Sequence, residues 1–310
     1  MTNNTEKQLP AFSYFCRSNI GVISNMFLEK AKQGNTGLFF YILTILICYL
    51  SGVMGAVLVY GLIEVDTVDR NQTLIGLLFP FVTILAGLLL CTFYLHKRPI
   101  HSLFNAFNGF RTSRLFFGFF TWLVLCGLSD VVYYNFLGGA YHLQWNPTAF
   151  LVLLFVALTM ISIQSMTEEV LFRSYLLSGL ALILKYRYLA ITVSSLMFAL
   201  MHIGNPENEK FGYVLMFFFY FGTALILGVI AVLDEGIEQT IGIHIATNMY
   251  GALFVNFNDA ALKTDSLFII DNPMGINMVI LNFISFLIYL ILSKLCFKLK
   301  PISFIFKKII

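Results

Sequence analysis

The chain has 310 residues, of which 59% are hydrophobic and only 11% charged. Soluble domains carry about 25% charged residues, so a water-soluble fold is excluded. A net charge of +3 without a clustered basic face argues against nucleic acid as a partner, and five dispersed cysteines with no CxxC pair supply neither a disulfide framework nor a zinc ribbon.

Residues 1–36 are polar and mixed in charge and read as a cytoplasmic N-terminal segment. The first apolar run, Gly37 to Leu62, is too long for the core of a signal peptide and reads as a retained anchor. Eight spans are expected, at roughly 37–62, 74–95, 115–137, 149–184, 189–203, 211–233, 237–257 and 275–297. The expected fold is therefore all-α: a polytopic membrane helix bundle of about eight transmembrane helices over 37–297, followed by a basic cytoplasmic tail, 298–310. The fourth span exceeds one straight crossing, because a helix rises about 1.5 Å per residue and the hydrocarbon is about 30 Å thick. A tilt or a break near Ser165 to Thr167 is expected there. The fifth span is short and ends at the turn from His202 to Pro206.

Basic residues orient the bundle. Fifteen Lys and Arg, counting Lys294 with the tail, fall on segments 1–36, 96–114, 185–188, 234–236 and 298–310, against Arg70, Lys210 and Lys263 on the other side. Both termini are thus expected on the cytoplasmic side of a bacterial cell membrane. Tyr133, Tyr134, Tyr141 and Trp145 read as an outer aromatic belt. The acidic turn at Asp234 and Glu235 reads as solvated, the loop 258–272 (Asp259, Lys263, Asp265, Asp271) as a connector, and the tail as an interfacial segment resting on anionic lipid.

Charge is scarce between Ala149 and Gly204, which makes Glu168, Glu169, Arg173 and His202 conspicuous. An ionised side chain at the bilayer centre costs roughly 2.5–3.5 kcal/mol on insertion scales. Glu169 and Arg173 stand four apart on a helix and share a face, so they can pair. Glu168 points about 100° away, free for another task. His202 follows Phe198 by one turn, and Asn248 follows His244 by one turn. A Glu and a His beside one water suit general-base work, and imidazole and carboxamide groups suit an oxyanion. Singly, each residue also reads as a packing group or a bridge between helices.

These residues carry a resemblance. Glu168-Glu169-Val170-Leu171-Phe172-Arg173 resembles the EExxxR motif of the CPBP family, the CAAX proteases and bacteriocin-processing enzymes, also called ABI proteins. Phe198 to His202 matches its FxxxH motif and His244 to Asn248 its HxxxN motif, in the same order, over roughly 165–250. The resemblance implies an eight-helix intramembrane endopeptidase with its catalytic core at about 149–257, acting on a peptide or membrane-protein substrate among membrane lipids. It implies that Glu168 activates water with help from His202. It further implies that His244 and Asn248 stabilise the oxyanion, that Glu169 and Arg173 hold the motif helix, and that Phe198 packs beside the site.

The family has been described both as metalloproteases and as glutamate-type proteases. Glu168, His202 and His244 are the zinc ligands if zinc is used, but HExxH is absent and Arg173 disfavours a cation, so no cofactor is favoured. Two rival readings remain beside the enzyme: a non-catalytic bacteriocin self-immunity or scaffold protein, and a transporter. The transporter reading expects repeated broken helices in two halves, and no such symmetry is visible. Counted from the nearest span ends, Glu168 and His202 fall in the outer half of the membrane and His244 in the inner half.

Overall fold

The computed structural model describes residues 26–62, 69–107, 109–271 and 275–309. Most of the expected N-terminal segment, with Lys7, Cys16 and Arg17, lies outside them, as does Asn272. Eight helices dominate the described residues: α1 (Leu38–Leu62), α2 (Arg70–Leu95), α3 (Thr112–Phe136), α4 (Pro147–Leu184), α5 (Arg187–Met201), α6 (Tyr213–Leu233), α7 (Glu238–Leu253) and α8 (Ile276–Cys296). Six are long and apolar enough to cross a membrane, while α5 and α7 have 15 and 16 residues. Strand is confined to β1 (Tyr141–Leu143), β2 (Val255–Asn256) and β3 (Phe268–Ile270), with β3 antiparallel to β1 and parallel to β2. The chain is a polytopic helical bundle, because a backbone in hydrocarbon must satisfy its polar groups within each segment.

Helix starts follow local chemistry. Asp69 accepts from the N–H groups of Asn71 and Gln72 at the head of α2. Asn146 caps α4 by accepting from Ala149 N–H at 3.2 Å, with Pro147 at the first helical position, where its missing donor costs nothing.

α4 departs from expectation. It runs unbroken for 38 residues, about 57 Å at ~1.5 Å per residue, and Ser162–Glu169 is regular helix, so no break occurs at Ser165 to Thr167. The irregularity lies instead in two widened π-type stretches, Ala157–Ile161 and Val170–Leu176. The second begins directly after Glu169 and contains Arg173. A hydroxyl from α5 meets one of its carbonyls: Ser194 Oγ donates to Phe172 O at 2.7 Å.

The basic-rich segments gather at one end of the bundle. Phe27 N–H donates to Glu235 Oε2 at 2.6 Å, Ala106 N–H to Glu235 O at 2.9 Å, Ile237 N–H to Phe104 O at 2.8 Å and Lys300 N–H to Leu233 O at 2.9 Å. Ile309 N–H donates to Lys185 O at 2.7 Å, and Arg187 reaches the carbonyls of Lys307 and Lys308. The tail is therefore docked on protein, with Phe304, Ile305 and Ile309 buried, rather than simply resting on lipid.

The acidic turn is also not solvated. Asp234, Glu235 and Glu238 are each at most 4% exposed. Arg111 pairs with Glu238 at 2.5 Å and Asp234 at 3.1 Å, and Arg114 pairs with Asp234 at 2.7 Å. Burial holds the Asp234 and Glu235 carboxyls above their ordinary values, against the pull of Arg111 and Arg114 on the first and of Phe27 N–H on the second. The loop 96–111 covers this corner, so α7 starts inside the protein rather than at its surface.

At the opposite end the loop 258–272 is more than a connector. Asp265 pairs with Arg70 at 2.9 Å, Asp271 with His142 at 2.8 Å, and Asp259 with Lys210. Of the expected aromatic belt, Tyr134 and Trp145 are exposed, whereas Tyr133 is buried and Tyr141 turns inward to donate to Asp130 at 2.7 Å.

α7 lies tightly on α3. A Cβ on Gly242 would stand 2.1 Å from Leu115 O, and one on Gly118 would stand 2.4 Å from Gln239 O. Small residues allow such backbone contact, which drives helix association in lipid, where burial from water offers no force. Trp122 Nε1 donates to Thr247 Oγ1 at 2.7 Å farther along the same crossing, and Tyr289 and Ser293 of α8 both donate to Gln239 Oε1 at 2.7 Å. Gly242→Val is expected to cost about 1–3 kcal/mol or more through overpacking. Arg111→Met should cost about 3–5 kcal/mol by leaving Glu238 and Asp234 short of their cation. Thermal unfolding of the detergent-solubilised protein checks both.

Candidate active site

Three helices bring the conspicuous polar residues to one level. α4 supplies Glu168, Glu169 and Arg173, α5 supplies Phe198 and His202, and α7 supplies His244 and Asn248. His244 therefore does not sit deeper than Glu168. The buried start of α7 lifts it, and the length of α4 leaves Glu168 far from either helix end.

Glu169 is the anchor. It is 0% exposed, its Oε1 lies 3.3 Å from Arg173 Nη1, and His244 Nδ1 lies 2.7 Å from the same oxygen. The spacing predicts the Glu169–Arg173 pair; the imidazole is an addition. A carboxylate only accepts, so Nδ1 carries the proton and Nε2 is the nitrogen that His244 presents. The Arg173 guanidinium lies over the Phe198 ring at 4.0 Å, and Phe198 also meets Phe172 edge-on at 5.2 Å. Phe198 thus packs beside the site, shielding the ion pair.

Glu168 faces elsewhere. Its Oε1 accepts from Gln164 Nε2 at 2.6 Å. Its Oε2 has no hydrogen-bond partner among the described residues and lies 3.6 Å from His244 Nε2. Both groups keep slight exposure, 12% for Glu168 and 11% for His244. A water about 2.8 Å from each atom would close a triangle on that base. Asn248 gives one Nδ2 hydrogen to Gln164 Oε1 at 2.9 Å and the other to Ser165 Oγ at 3.1 Å.

His202 departs from the expected pairing. Its Nδ1 donates to Phe198 O at 2.8 Å, and its ring lies between Phe198 at 4.3 Å and Tyr220 at 4.4 Å. No hydrogen bond or ion pair joins it to Glu168. The imidazole beside Glu168 is His244, with Phe198 between the two histidines. Nor do Glu168, His202 and His244 make a zinc site, for no group of three His, Cys, Asp or Glu that could hold a metal is gathered among the described residues. His244 has one nitrogen committed to Glu169, and Arg173 stands behind that carboxylate.

Two residues of this network, Gln164 and Tyr220, are absent from the sequence reading, and Ser165 enters it only as the place of an expected break. Gln164 stands one turn before Glu168 and was visible as a lone amide in an apolar run; an inventory of ionisable groups passes over it. Tyr220 lies in the aromatic stretch Phe217 to Phe221, where nothing marks it out.

Breaking the buried pair from one side should be costly. Arg173→Met leaves Glu169 uncompensated and is expected to lose about 3–5 kcal/mol. The double substitution Glu169→Gln with Arg173→Met should recover much of that loss, because the buried charge goes with its partner. A double-mutant cycle on thermal unfolding in detergent reads the coupling.

Comparison with known proteins meets this geometry on the same helices. Residues 147–250 match the family model described as Rce1-like, type II CAAX prenyl endopeptidase Rce1-like. The chain is similar to the uncharacterized protein YyaK of Bacillus subtilis (strain 168), with 25% identity over 237 residues, covering 74% of this chain and 79% of that protein. No solved structure matches it. The matched segment begins at the first residue of α4 and ends two residues after Asn248, so the part of this multi-pass membrane protein that matches the Rce1-like family model is the part that contains both carboxylates, Arg173 and both histidines.

Proposed function

We propose that the chain is an intramembrane endopeptidase that hydrolyses a peptide bond in a membrane-associated substrate, of the prenylated or leader-peptide kind. One observation carries the catalytic reading. Glu168 Oε2 has no hydrogen-bond partner among the described residues and lies 3.6 Å from His244 Nε2, whose ring is fixed by Glu169. A carboxyl oxygen left without a hydrogen bond in a membrane bundle is expensive, and a reactive water is the use that fits it.

In this reading Glu168 is the general base. A water shared by Glu168 and His244 gives a proton to Glu168 while its oxygen bonds to the substrate carbonyl carbon. The carbonyl electron pair moves onto oxygen, and Asn248 Nδ2 stabilises that oxyanion by exchanging one of its bonds to Gln164 or Ser165. Collapse breaks the carbon–nitrogen bond, and the proton on Glu168 passes to the leaving amine. His202, with Nε2 unengaged, is the group left to meet the substrate strand or the leaving amine. Glu168, His202 and His244, the ligands if zinc is used, are not gathered as a metal site among the described residues, and the steps above are carried by side chains alone.

The distribution of Lys and Arg supports both termini on the cytoplasmic side of the membrane. The core at 149–257 then stands between the cytoplasmic segments 1–36 and 298–310.

The test is comparative peptidomics of the native host, using wild type, a deletion, and Glu168→Ala matched for membrane abundance. A peptide or new terminus lost in both mutants supports the protease and names its substrate. A Glu168→Ala strain that behaves as wild type while the deletion has a phenotype sinks the enzyme and favours a binding role. On the substrate so found, Asn248→Ala should lower kcat about 10²–10³-fold, the usual loss for one oxyanion donor.

A further inference from the structure

The proposed reaction asks two residues to act together. Glu168 must present one oxygen to water, and Asn248 must hold its amide toward the developing oxyanion. They sit on different helices, α4 and α7, and no bond joins them directly. One side chain touches both. Gln164 Nε2 donates to Glu168 Oε1 at 2.6 Å, and Gln164 Oε1 accepts from Asn248 Nδ2 at 2.9 Å.

We propose that Gln164 is a positioning residue that fixes Glu168 and Asn248 relative to each other across α4 and α7. The inference rests on the endopeptidase reading and goes beyond it by adding a residue to the machinery.

The polarity of the chain of bonds has one solution. An ionised carboxylate accepts only, so the Gln164 amide must turn its NH2 to Glu168. Its carbonyl oxygen then faces Asn248, and Asn248 must answer with its own NH2. The bond to Oε1 also decides which Glu168 oxygen works, because Oε2 is left facing His244 Nε2. Ser165 Oγ closes the set, donating to Gln164 Oε1 at 3.2 Å and accepting from Asn248 at 3.1 Å. Gln164 is itself buried, 7% exposed, so water does not compete for these bonds. A methionine would fill the space and supply none of this. The carboxylate would be free to turn, and the Asn248 amide would lose the acceptor that sets its direction.

The first measurement is independent of activity and uses the full chain in liposomes. Infrared difference spectra of wild type against Glu168→Gln isolate the Glu168 carboxylate stretch. Gln164→Met should shift that band. Asn248→Ala should shift it less in the wild-type background and not at all beside Gln164→Met. A band unmoved by Gln164→Met, or an Asn248→Ala shift that persists without Gln164, overturns the proposal whether or not the chain is a protease.

The second measurement uses a farnesylated peptide ending in a CAAX sequence, with Glu168→Ala as the control for the endopeptidase reading. Where wild type cleaves it and Glu168→Ala does not, Gln164→Met should lower kcat about 10–100-fold, the scale of a misplaced reacting group, with KM within about twofold. Gln164→Met combined with Asn248→Ala should be no more than a few-fold worse than the weaker single variant; losses that multiply in full overturn the coupling. Gln164→Glu supplies the independent check. Two carboxyls sharing one proton restore a donor and an acceptor, so kcat should recover at low pH and fall as that proton leaves. A loss of the same size at every pH marks mere packing and also overturns the proposal. A wild type that leaves this peptide whole sinks the prenyl-peptide substrate, and the infrared result still decides the role of Gln164.

Discussion

A carboxylate with no exposure, set between a guanidinium and an imidazole, is the constraint around which this bundle is arranged. Glu169 cannot stay ionised in a membrane core without Arg173, and Arg173 cannot stay there without Glu169 and the face of Phe198. Because the two are one turn apart on α4, their pairing costs no long-range closure. His244 does cross between helices, and its 2.7 Å bond to Glu169 ties α7 to α4. Phe198 brings α5 into the same contact. One buried charge pair thereby registers three helices against one another, and the remaining site residues stand one turn or less from those contacts.

That registration needs α7 at the right depth and α4 at the right phase. Depth comes from the acidic corner. Asp234 and Glu238 are held below the surface by Arg111 and Arg114, so the helix that follows begins within the protein. The backbone contacts at Gly118 and Gly242 then press α7 onto α3 just before His244. Phase comes from the widened stretch Val170–Leu176, which changes the facing of α4 from the middle of the motif onward, while Ser162–Glu169 before it stays regular. Widened turns of this kind are frequent at functional sites. A clean break would have freed carbonyls that hydrocarbon cannot satisfy.

Much of this was legible in the residues. Apolar run lengths predict the multi-pass bundle, and four-residue spacing predicts the Glu169–Arg173 pair. What was not legible depends on tertiary neighbours. Asp234 and Glu235 read as a solvated turn because a short acidic connection looks alike whether or not a loop covers it; only the fold brings Arg111 and Arg114 over it. Helix counting sets Glu168 and His244 at different depths because it takes the start of α7 for the surface, whereas the two side chains lie 3.6 Å apart. Gln164 lay one turn from Glu168 in plain view, but an uncharged amide gives no cost argument, and it stands out only when Asn248 is seen to complete its bonds. The assignment of imidazoles to partners was equally out of reach, since spacing within a motif says nothing about which helix face meets which.

The two adjacent glutamates show how one short stretch of helix can hold opposite electrostatic tasks. Their side chains diverge by about 100°, and that angle separates two environments. On one side Glu169 meets a cation and an N–H, both at its Oε1. On the other, Glu168 meets one neutral amide at Oε1, and its Oε2 faces His244 Nε2 with no hydrogen bond among the described residues. The same imidazole links the two, with Nδ1 at Glu169 Oε1 and Nε2 beside Glu168 Oε2. The 3.6 Å between Nε2 and Oε2 is a span that one water can bridge. A small polar molecule suits that gap, and water is the reactant that hydrolysis requires. Environments that drive paired carboxyls apart in this way are a general means of dividing structural and reactive roles, and here the division follows from the side of α4 on which each glutamate emerges.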